Sequence, residues 1–402
     1  MIMKKLVSMI LVIILIASMT AATPTLDATK ATTATLTYLT KAIYDDLGNY
    51  SEGLIWVKEG DTFQYLNKKG KIVIDLSDKK YIQEDHLYIT EVGDFHDGLA
   101  LISLSSTLSD EVTFDDHDFG YYIDIKGNIV LTAAQINTKL NHNEERITDF
   151  YSAFSENVTI SDSKPTDGQI CVVDKKGNHK WYVGICEGYF WFTEELLCNS
   201  YYIDKYGEEK WGYVDHKFKK VIAAQFDQAR PFNQGLAPVQ VDGKWGFINK
   251  SGKVVIKAQF NNFNVKDINY SYVIFNEGVA CVQKDGKWGG ISKTGKTIIS
   301  FKYESPFVFV NGYARIKGSD GTYTYIDTKG KTIIKTKYDD SSHFNSNGVA
   351  VVGNDGVYKI INTAGKKVSD KTWEFDETGS VAMTPDILLY KIGDKLGIAK
   401  IH

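Results

Sequence analysis

Apolar and polar residues alternate in short stretches along most of the chain. The alternation is clear in "WGFIN" at Trp245, "WGGIS" at Trp288 and "YTYID" at Tyr323, and it returns in "GLAPVQV" at Gly235. A period of two residues is typical of a β-strand with one buried face. The pattern therefore predicts an all-β chain of short strands.

A four-residue motif that begins with Asp, Asn or Ser and ends with Gly occurs eight times, usually just after such a strand. The first side chain of such a motif can accept a bond from the backbone two residues on, and the glycine takes the positive φ that ends the turn. We therefore interpret the motif as a hairpin corner and not as a calcium loop. The closing glycines are Gly70, Gly127, Gly177, Gly207, Gly252, Gly295, Gly330 and Gly365.

Three strands begin with a Trp-Gly pair. The glycine leaves a gap on one face of the strand, where a neighbouring backbone or ring can approach closely. We expect these residues to have a structural role in packing and not to stack on a ligand. The pairs are Trp211-Gly212, Trp245-Gly246 and Trp288-Gly289.

The strands group into a repeating unit. A strand such as "GLAPVQV" runs into Asp-Gly at Asp242, Asp285, Asp320 and Asp355, which is a strong hairpin signal. A third strand such as "KVVIKAQF" follows the corner. Each unit is a three-stranded β-meander of roughly 35 to 45 residues, which must stack on its neighbours to bury both faces.

The units at 235–260 and 278–303 resemble the WG repeat, also called the KWG repeat, and the resemblance extends in weaker form from Ile43 to Ile401. It is irregular between Ile129 and Cys198. Membership of this family implies an all-β repeat fold, a bacterial source and frequent export, and it implies no known catalytic residues. Trp is replaced at Phe63, Tyr323, Tyr358 and Leu396.

The two ends of the chain carry complementary partial units. "LTKAIYDDLGNYSEGL" near the start aligns with a third strand, and "GSVAMTPDILLYKIGDKLGIAKIH" at the end supplies the first two strands. Pairing of these ends would complete one unit and remove two exposed sheet edges. We therefore predict a β-propeller of about eight units, with an open β-solenoid as the alternative.

The N-terminus predicts export. Lys4 and Lys5 precede an apolar run from Leu6 to Ala17, which is short for a membrane span, and small residues follow. We interpret residues 1–22 as a signal peptide and residues 23–402 as one WG-repeat β domain with an irregular insert at about 131–165. The expected location is secreted or at the cell surface, with no integral membrane span after cleavage.

Charge limits the classes of binding partner, and the cysteines leave two interpretations open. The chain has 46 basic and 50 acidic residues and no clustered basic footprint along the sequence, which argues against nucleic acid as a partner. A disulfide among Cys171, Cys186 and Cys198 and a set of buried thiols that includes Cys281 both fit the sequence.

No catalytic constellation, cofactor motif or metal-ligand spacing stands out. His117 lies among Asp115, Asp116 and Asp118, which we interpret as a solvated loop because adjacent strand residues point to opposite faces. Five carboxylates have no plain structural role, namely Glu52, Glu194, Glu195, Glu277 and Glu304.

Aromatic residues are the remaining candidates for binding, either on an exposed platform or in the core. They are Trp181, Tyr189, Trp191, Tyr270 and Tyr272. The sequence favours a monomeric, secreted, non-enzymatic scaffold that binds a protein or a glycan. The alternative is a propeller-type glycan hydrolase or lyase that uses carboxylates of the central channel.

Overall fold

The computed structural model describes residues 34 and 135 and the ranges 36–82, 87–105, 119–132, 149–150, 153–162, 169–183, 192–202, 209–261, 274–369, 372–374, 377–379 and 387–401. The predicted signal peptide and most of the predicted insert lie outside these residues. The chain divides into two compact units. The first unit comprises Met1–Tyr44 and Phe232–His402, and the second comprises Asp45–Pro231.

The described residues form short strands and one 3-10 turn at Lys79–Tyr81. Up to residue 231 the strands are β1 (Leu36–Tyr38), β2 (Asp46–Leu47), β3 (Leu54–Glu59), β4 (Thr62–Asn67), β5 (Ile72–Asp75), β6 (Tyr88–Val92), β7 (Leu99–Ser105), β8 (Phe119–Asp124), β9 (Ile129–Thr132), β10 (Asp149–Phe150), β11 (Val158–Asp162), β12 (Gln169–Asp174), β13 (His179–Val183), β14 (Leu197–Tyr202), β15 (Glu209–Val214), β16 (Lys220–Phe226) and β17 (Gln228–Ala229). From residue 232 on they are β18 (Leu236–Val241), β19 (Lys244–Asn249), β20 (Val254–Phe260), β21 (Val279–Lys284), β22 (Lys287–Ser292), β23 (Thr297–Tyr303), β24 (Tyr313–Lys317), β25 (Tyr323–Asp327), β26 (Thr332–Tyr338), β27 (Asp340–Ser341), β28 (Val349–Asn354), β29 (Val357–Asn362), β30 (Trp373–Glu374), β31 (Glu377–Gly379), β32 (Ile387–Ile392) and β33 (Lys395–Ile401).

These strands form small antiparallel sheets of three or four strands, of which the described residues contain nine. Eight of the sheets are meanders whose strands pair in chain order, as in β21-β22-β23 and β24-β25-β26. The predicted all-β array of meanders is confirmed. None of the described helical residues belongs to a helix long and apolar enough to cross a membrane.

The ninth sheet joins the two ends of the chain. Strand β1 pairs with β33 in antiparallel register from Leu36 opposite Ile401 to Tyr38 opposite Ala399, and Tyr44 forms a further bridge to Leu396. Leu36 is buried with side chains of the preceding sheet and of β32 and β33. The prediction that the N-terminal segment supplies the third strand of the last unit is confirmed.

A bulge explains the glycine that follows the tryptophan. Trp245 of β19 lies opposite Phe260 of β20, but Phe247 lies opposite Ile256, so three residues of β20 arch over Gly246. A β-carbon on Gly246 would lie 2.6 Å from the backbone nitrogen of Ala258. The same crowding occurs at Gly212 and Gly289, as the sequence predicted.

The corners have the predicted chemistry. At Asn249 the side-chain Oδ1 accepts bonds from the backbone N–H of Ser251 (3.1 Å) and of Lys253 (3.0 Å), and Gly252 has a φ of 79°. Six further predicted corner glycines have positive φ, namely Gly70, Gly127, Gly177, Gly295, Gly330 and Gly365. Gly207 lies outside the described residues.

One corner was missed. Oδ1 of Asp215 accepts bonds from the backbone N–H of Lys217 and Lys219, and Phe218 occupies the closing position with a φ of 55°. No glycine marks this corner in the sequence, because Phe218 adopts the left-handed conformation that glycine adopts at the other corners.

Neighbouring sheets share aromatic contacts. The ring of Tyr65 in β4 meets that of Phe95 edge-on at 5.0 Å, and its hydroxyl donates to the carbonyl of Gly93 at 2.7 Å. In the first unit Phe247 meets Phe275 in the same way at 5.0 Å. Each of these sheets therefore buries apolar side chains of its neighbour, as expected of repeats that cannot fold alone.

Candidate functional site

Two-residue turns with an acidic or amide residue in first position recur just before β3, β7, β11, β14, β18, β21 and β24. In seven such turns among the described residues, the first residue has a φ of 50° to 53° and the second a φ of 72° to 93°, which is the type I′ geometry. The sequence placed the glycine at the start of the strand, and this was wrong because the glycine is the second turn residue. The turns are Glu52-Gly53, Asp97-Gly98, Glu156-Asn157, Glu194-Glu195, Gln234-Gly235, Glu277-Gly278 and Asn311-Gly312.

In the second unit, the first side chain of three turns reaches the next turn. The backbone N–H of Gly98 donates to Oε2 of Glu52 at 2.8 Å, and that of Asn157 donates to Oδ2 of Asp97 at 2.6 Å. The N–H of Glu195 lies 3.0 Å from Oε2 of Glu156. We call this line of linked turns the turn row.

The first unit repeats the contact. The N–H of Gly278 donates to Oε1 of Gln234 at 3.0 Å, and the N–H of Gly312 donates to Oε2 of Glu277 at 2.8 Å. Burial raises the pKa of Glu277. An amide oxygen thus serves as well as a carboxylate, so the contact requires an acceptor and not a charge.

At some turns the residue before the turn adds a second bond. The hydroxyl of Ser155 donates to the carbonyl of Phe192 at 2.8 Å, and the amide of Asn276 donates to the carbonyl of Phe309 at 2.7 Å. The turns that follow Ser155 and Asn276 are therefore each fixed to the neighbouring repeat by two hydrogen bonds.

These contacts give roles to the carboxylates that sequence reasoning left open. Glu52 and Glu277 bond the next turn, Glu194 and Glu195 form a turn themselves, and Glu304 pairs with Lys287. The partners of Glu52 and Glu277 lie 46 and 35 residues further along the chain. Only the repeat spacing could have signalled these partners.

A buried carboxyl group not singled out from the sequence lies at Asp94. The exposed fraction of Asp94 is 2%. Oδ1 accepts the backbone N–H of Asn49 at 3.0 Å, Oδ2 accepts the side-chain amide of Asn49 at 3.1 Å, and Trp56 donates a further bond. Burial raises the pKa of Asp94 to about 7.

Next to it, His96 is also buried, and burial lowers its pKa to about 4. Its Nε2 has no hydrogen-bond partner among the described residues. Asn49 and Asp94 each precede the aromatic residue ahead of their turn, so the pair joins equivalent positions of adjacent repeats. Because both oxygens of Asp94 accept hydrogen bonds from Asn49, this carboxyl group links two adjacent repeats.

Of the five aromatic residues named as binding candidates, the structure describes the backbone of Trp181. Trp181 lies in β13, where its backbone pairs with Cys171. Trp245 and Trp288 are buried in the core, and Trp211 is half-buried. The other candidates, Tyr189, Trp191, Tyr270 and Tyr272, lie outside the described residues.

The described residues contain no group of three His, Cys, Asp or Glu side chains that could hold a metal ion. The segment around His117 lies outside the described residues. Cys171, Cys198 and Cys281 are buried, and Cys186 also lies outside the described residues.

Five segments match the family model of the WG containing repeat, at residues 37–63, 211–245, 245–288, 288–322 and 323–358. This chain is a WG-repeat protein. A comparison with curated proteins gave no match. The matched segments include the strand pairs that carry the Trp-Gly bulge and the turns that begin at Glu52, Gln234, Glu277 and Asn311.

Solved structures resemble the WG-repeat chain at low sequence identity. A eukaryotic initiation factor matches with a TM-score of 0.51 and 10% identity, over 89% of this chain and 91% of the other. BamB from Moraxella catarrhalis matches with a TM-score of 0.42 and 12% identity over 91% and 100%, and Hsv2p from Kluyveromyces lactis with 0.34 and 9% over 61% and 88%. The first match shows a propeller-like all-β repeat fold.

Proposed function

We propose that this protein is exported and acts as a non-catalytic scaffold that binds a protein or glycan partner. The WG-repeat fold and the signal-like residues 1–22 support this proposal. The observation that carries it is the use of the candidate carboxylates in contacts between and within repeats. A scaffold needs its repeats fixed to one another, and these contacts fix them.

A glycan hydrolase needs two carboxyl groups that face the substrate across a defined gap. Glu52 and Glu277 instead accept backbone N–H groups of neighbouring turns, and Glu304 pairs with Lys287. Glu194 and Glu195 are adjacent residues of one turn. This arrangement favours cohesion of the repeats over acid–base chemistry.

The test uses the chain without residues 1–22 and its Glu194→Gln/Glu195→Gln variant on a panel of polysaccharides, with reducing ends and unsaturated products as readouts. We expect no turnover by either protein. Turnover by the unaltered chain that the double variant loses would establish the hydrolase or lyase alternative.

Export is tested in a bacterial host with tagged forms of the full chain and of the chain without residues 1–22. We expect the full chain in the medium or at the cell surface, and the chain without residues 1–22 in the cytoplasm. Recovery of both forms in the cytoplasm would contradict the proposal.

A further inference from the structure

Three consecutive third strands of the first unit are rich in lysine. Segments 249–260, 292–303 and 327–338, each a corner followed by β20, β23 or β26, contain ten lysines and a single acidic residue, Asp327. All ten lysines are exposed. We call them the lysine belt: Lys250, Lys253, Lys257, Lys293, Lys296, Lys302, Lys329, Lys331, Lys335 and Lys337.

The strands of the belt lie side by side. The rings of Phe260 in β20 and Phe301 in β23 stack with their centroids 6.4 Å apart. Gly330, at the corner before β26, lies so close to Ile299 of β23 that an added β-carbon would be 3.3 Å from the Ile299 side chain. The lysines of three repeats therefore belong to one continuous surface.

The charge of the belt is not balanced within its own segments. Asp327 accepts the backbone N–H groups of Lys329 and Lys331 as a corner cap. Lys337 pairs with Asp320 just outside the belt. The whole chain has more acidic than basic residues, so the belt concentrates positive charge against the overall balance.

Protection of sheet edges explains only part of this pattern. Strands β20, β23 and β26 are the last strands of their sheets, and charged side chains on edge strands prevent pairing with other chains. A charge of either sign discourages pairing, and although lysine is common at edges, ten lysines and no glutamate in three neighbouring segments exceed what protection requires. The consistent sign of the charge therefore points to an anionic ligand.

The use of lysine and the distance between the three strands indicate which class of anion fits the belt. The belt has lysine and no arginine, so it offers point charges and not the planar fork that grips single carboxylates or phosphates in two-bond geometry. Packed sheets lie about 10 Å apart, so three third strands span roughly 20 Å. This length suits several charges along a polymer better than one small ion.

We propose that the lysine belt binds a linear anionic polysaccharide. The inference rests on the proposed function, because export brings the belt to extracellular polymers. Binding depends on charge density along the chain of the polymer, and it weakens as salt screens the lysines.

The test measures binding of polygalacturonate to the chain without residues 1–22, with neutral dextran as the reference polymer. We expect the variant Lys253→Glu/Lys257→Glu/Lys296→Glu/Lys302→Glu to lose affinity by about tenfold or more, because four attractive contacts become repulsive. Its denaturation midpoint should stay near that of the unaltered chain, since the four side chains are exposed and edge strands keep their charge.

A matched variant separates the belt from net charge. Lys41→Glu/Lys68→Glu/Lys69→Glu/Lys79→Glu makes the same charge change at exposed positions outside the belt and should keep most of the affinity. Equal loss in both variants, no binding of polygalacturonate, or tighter binding of a DNA oligonucleotide would each overturn the proposal. Export and absence of turnover are measured separately, so failure here leaves the scaffold proposal standing.

Discussion

A buried carboxyl group at Asp94 makes the fold sensitive to pH. Because burial raises the pKa of Asp94 to about 7, the folded state holds a proton that an unfolded chain releases near pH 4. Between these values the folded state binds more protons, so this group makes the free energy of unfolding fall as pH rises. His96 acts in the opposite sense, because burial lowers its pKa to about 4 and its neutral form stabilises the fold above the ordinary histidine pKa.

The substitution Asp94→Asn should remove the first of these effects. We expect the unaltered protein to lose stability relative to the variant as pH rises from 4 to 7, by about 1.4 kcal/mol for each pKa unit of the shift. Denaturant unfolding at several pH values measures the difference. A constant difference across this range would show that Asp94 ionises like an exposed carboxyl group. His96→Gln is the control, because it should remove the pH dependence of stability that His96 contributes and leave that of Asp94 in place.

Sequence reasoning identified single residues whose role is set within one repeat. The corner at Asn249 was predicted because its partners lie two and four residues on. Asp94 was missed because its partner, Asn49, comes from the preceding repeat, 45 residues away. Local chemistry is visible in one sequence, whereas a contact between repeats needs the register of the sheets.

At the scale of the strand, Gly246 sets the shape of the bulge in β20. We expect Gly246→Ala to reduce the free energy of unfolding by about 1 to 3 kcal/mol, because the added carbon overlaps the backbone at 2.6 Å. Gly93→Ala is the matched control, since the added carbon would lie 3.4 Å from its nearest neighbour and should cost less than about 0.5 kcal/mol. Equal denaturation midpoints for the two variants would contradict this account.

The strands themselves were predictable from alternation and turn residues, and the errors fall where that signal is ambiguous. Gly235 was taken as a strand residue because it adjoins an alternating stretch, but with a φ of 84° it belongs to a turn. The Asp-Gly hairpins at Asp242, Asp285 and Asp355 are confirmed by positive φ at both residues. At Asp320 only the following glycine has positive φ, so this hairpin closes differently.

At the scale of the molecule, strand β1 ties the start of the repeats to their end. Leu36 of β1 has an exposed fraction of 3% and lies among side chains of β28, β32 and β33. We expect Leu36→Asp to cost about 3 kcal/mol or more, because an unpaired charge would be buried. Thr37→Asp, on the same strand but exposed, should change the denaturation midpoint little. A similar midpoint for both variants would show that this pairing contributes little to stability.

The joining of the two ends was foreseen because the partial units that begin at Leu39 and at Gly379 are complementary in sequence. The lysine belt was not foreseen, because its residues are spread over about 90 positions of a chain with more acidic than basic residues. Only the stacking of third strands, through contacts such as Phe260 with Phe301, brings these lysines together.

The turn row has a consequence for how a gene of this kind can gain or lose repeats. In each link the acceptor is a side chain but the donor is a backbone N–H, supplied by residues as different as Gly98, Asn157 and Glu195. A duplicated or deleted copy therefore meets a usable donor in whichever neighbour it acquires. No compensating mutation is required at the new junction, which opens a simple evolutionary route to longer and shorter arrays.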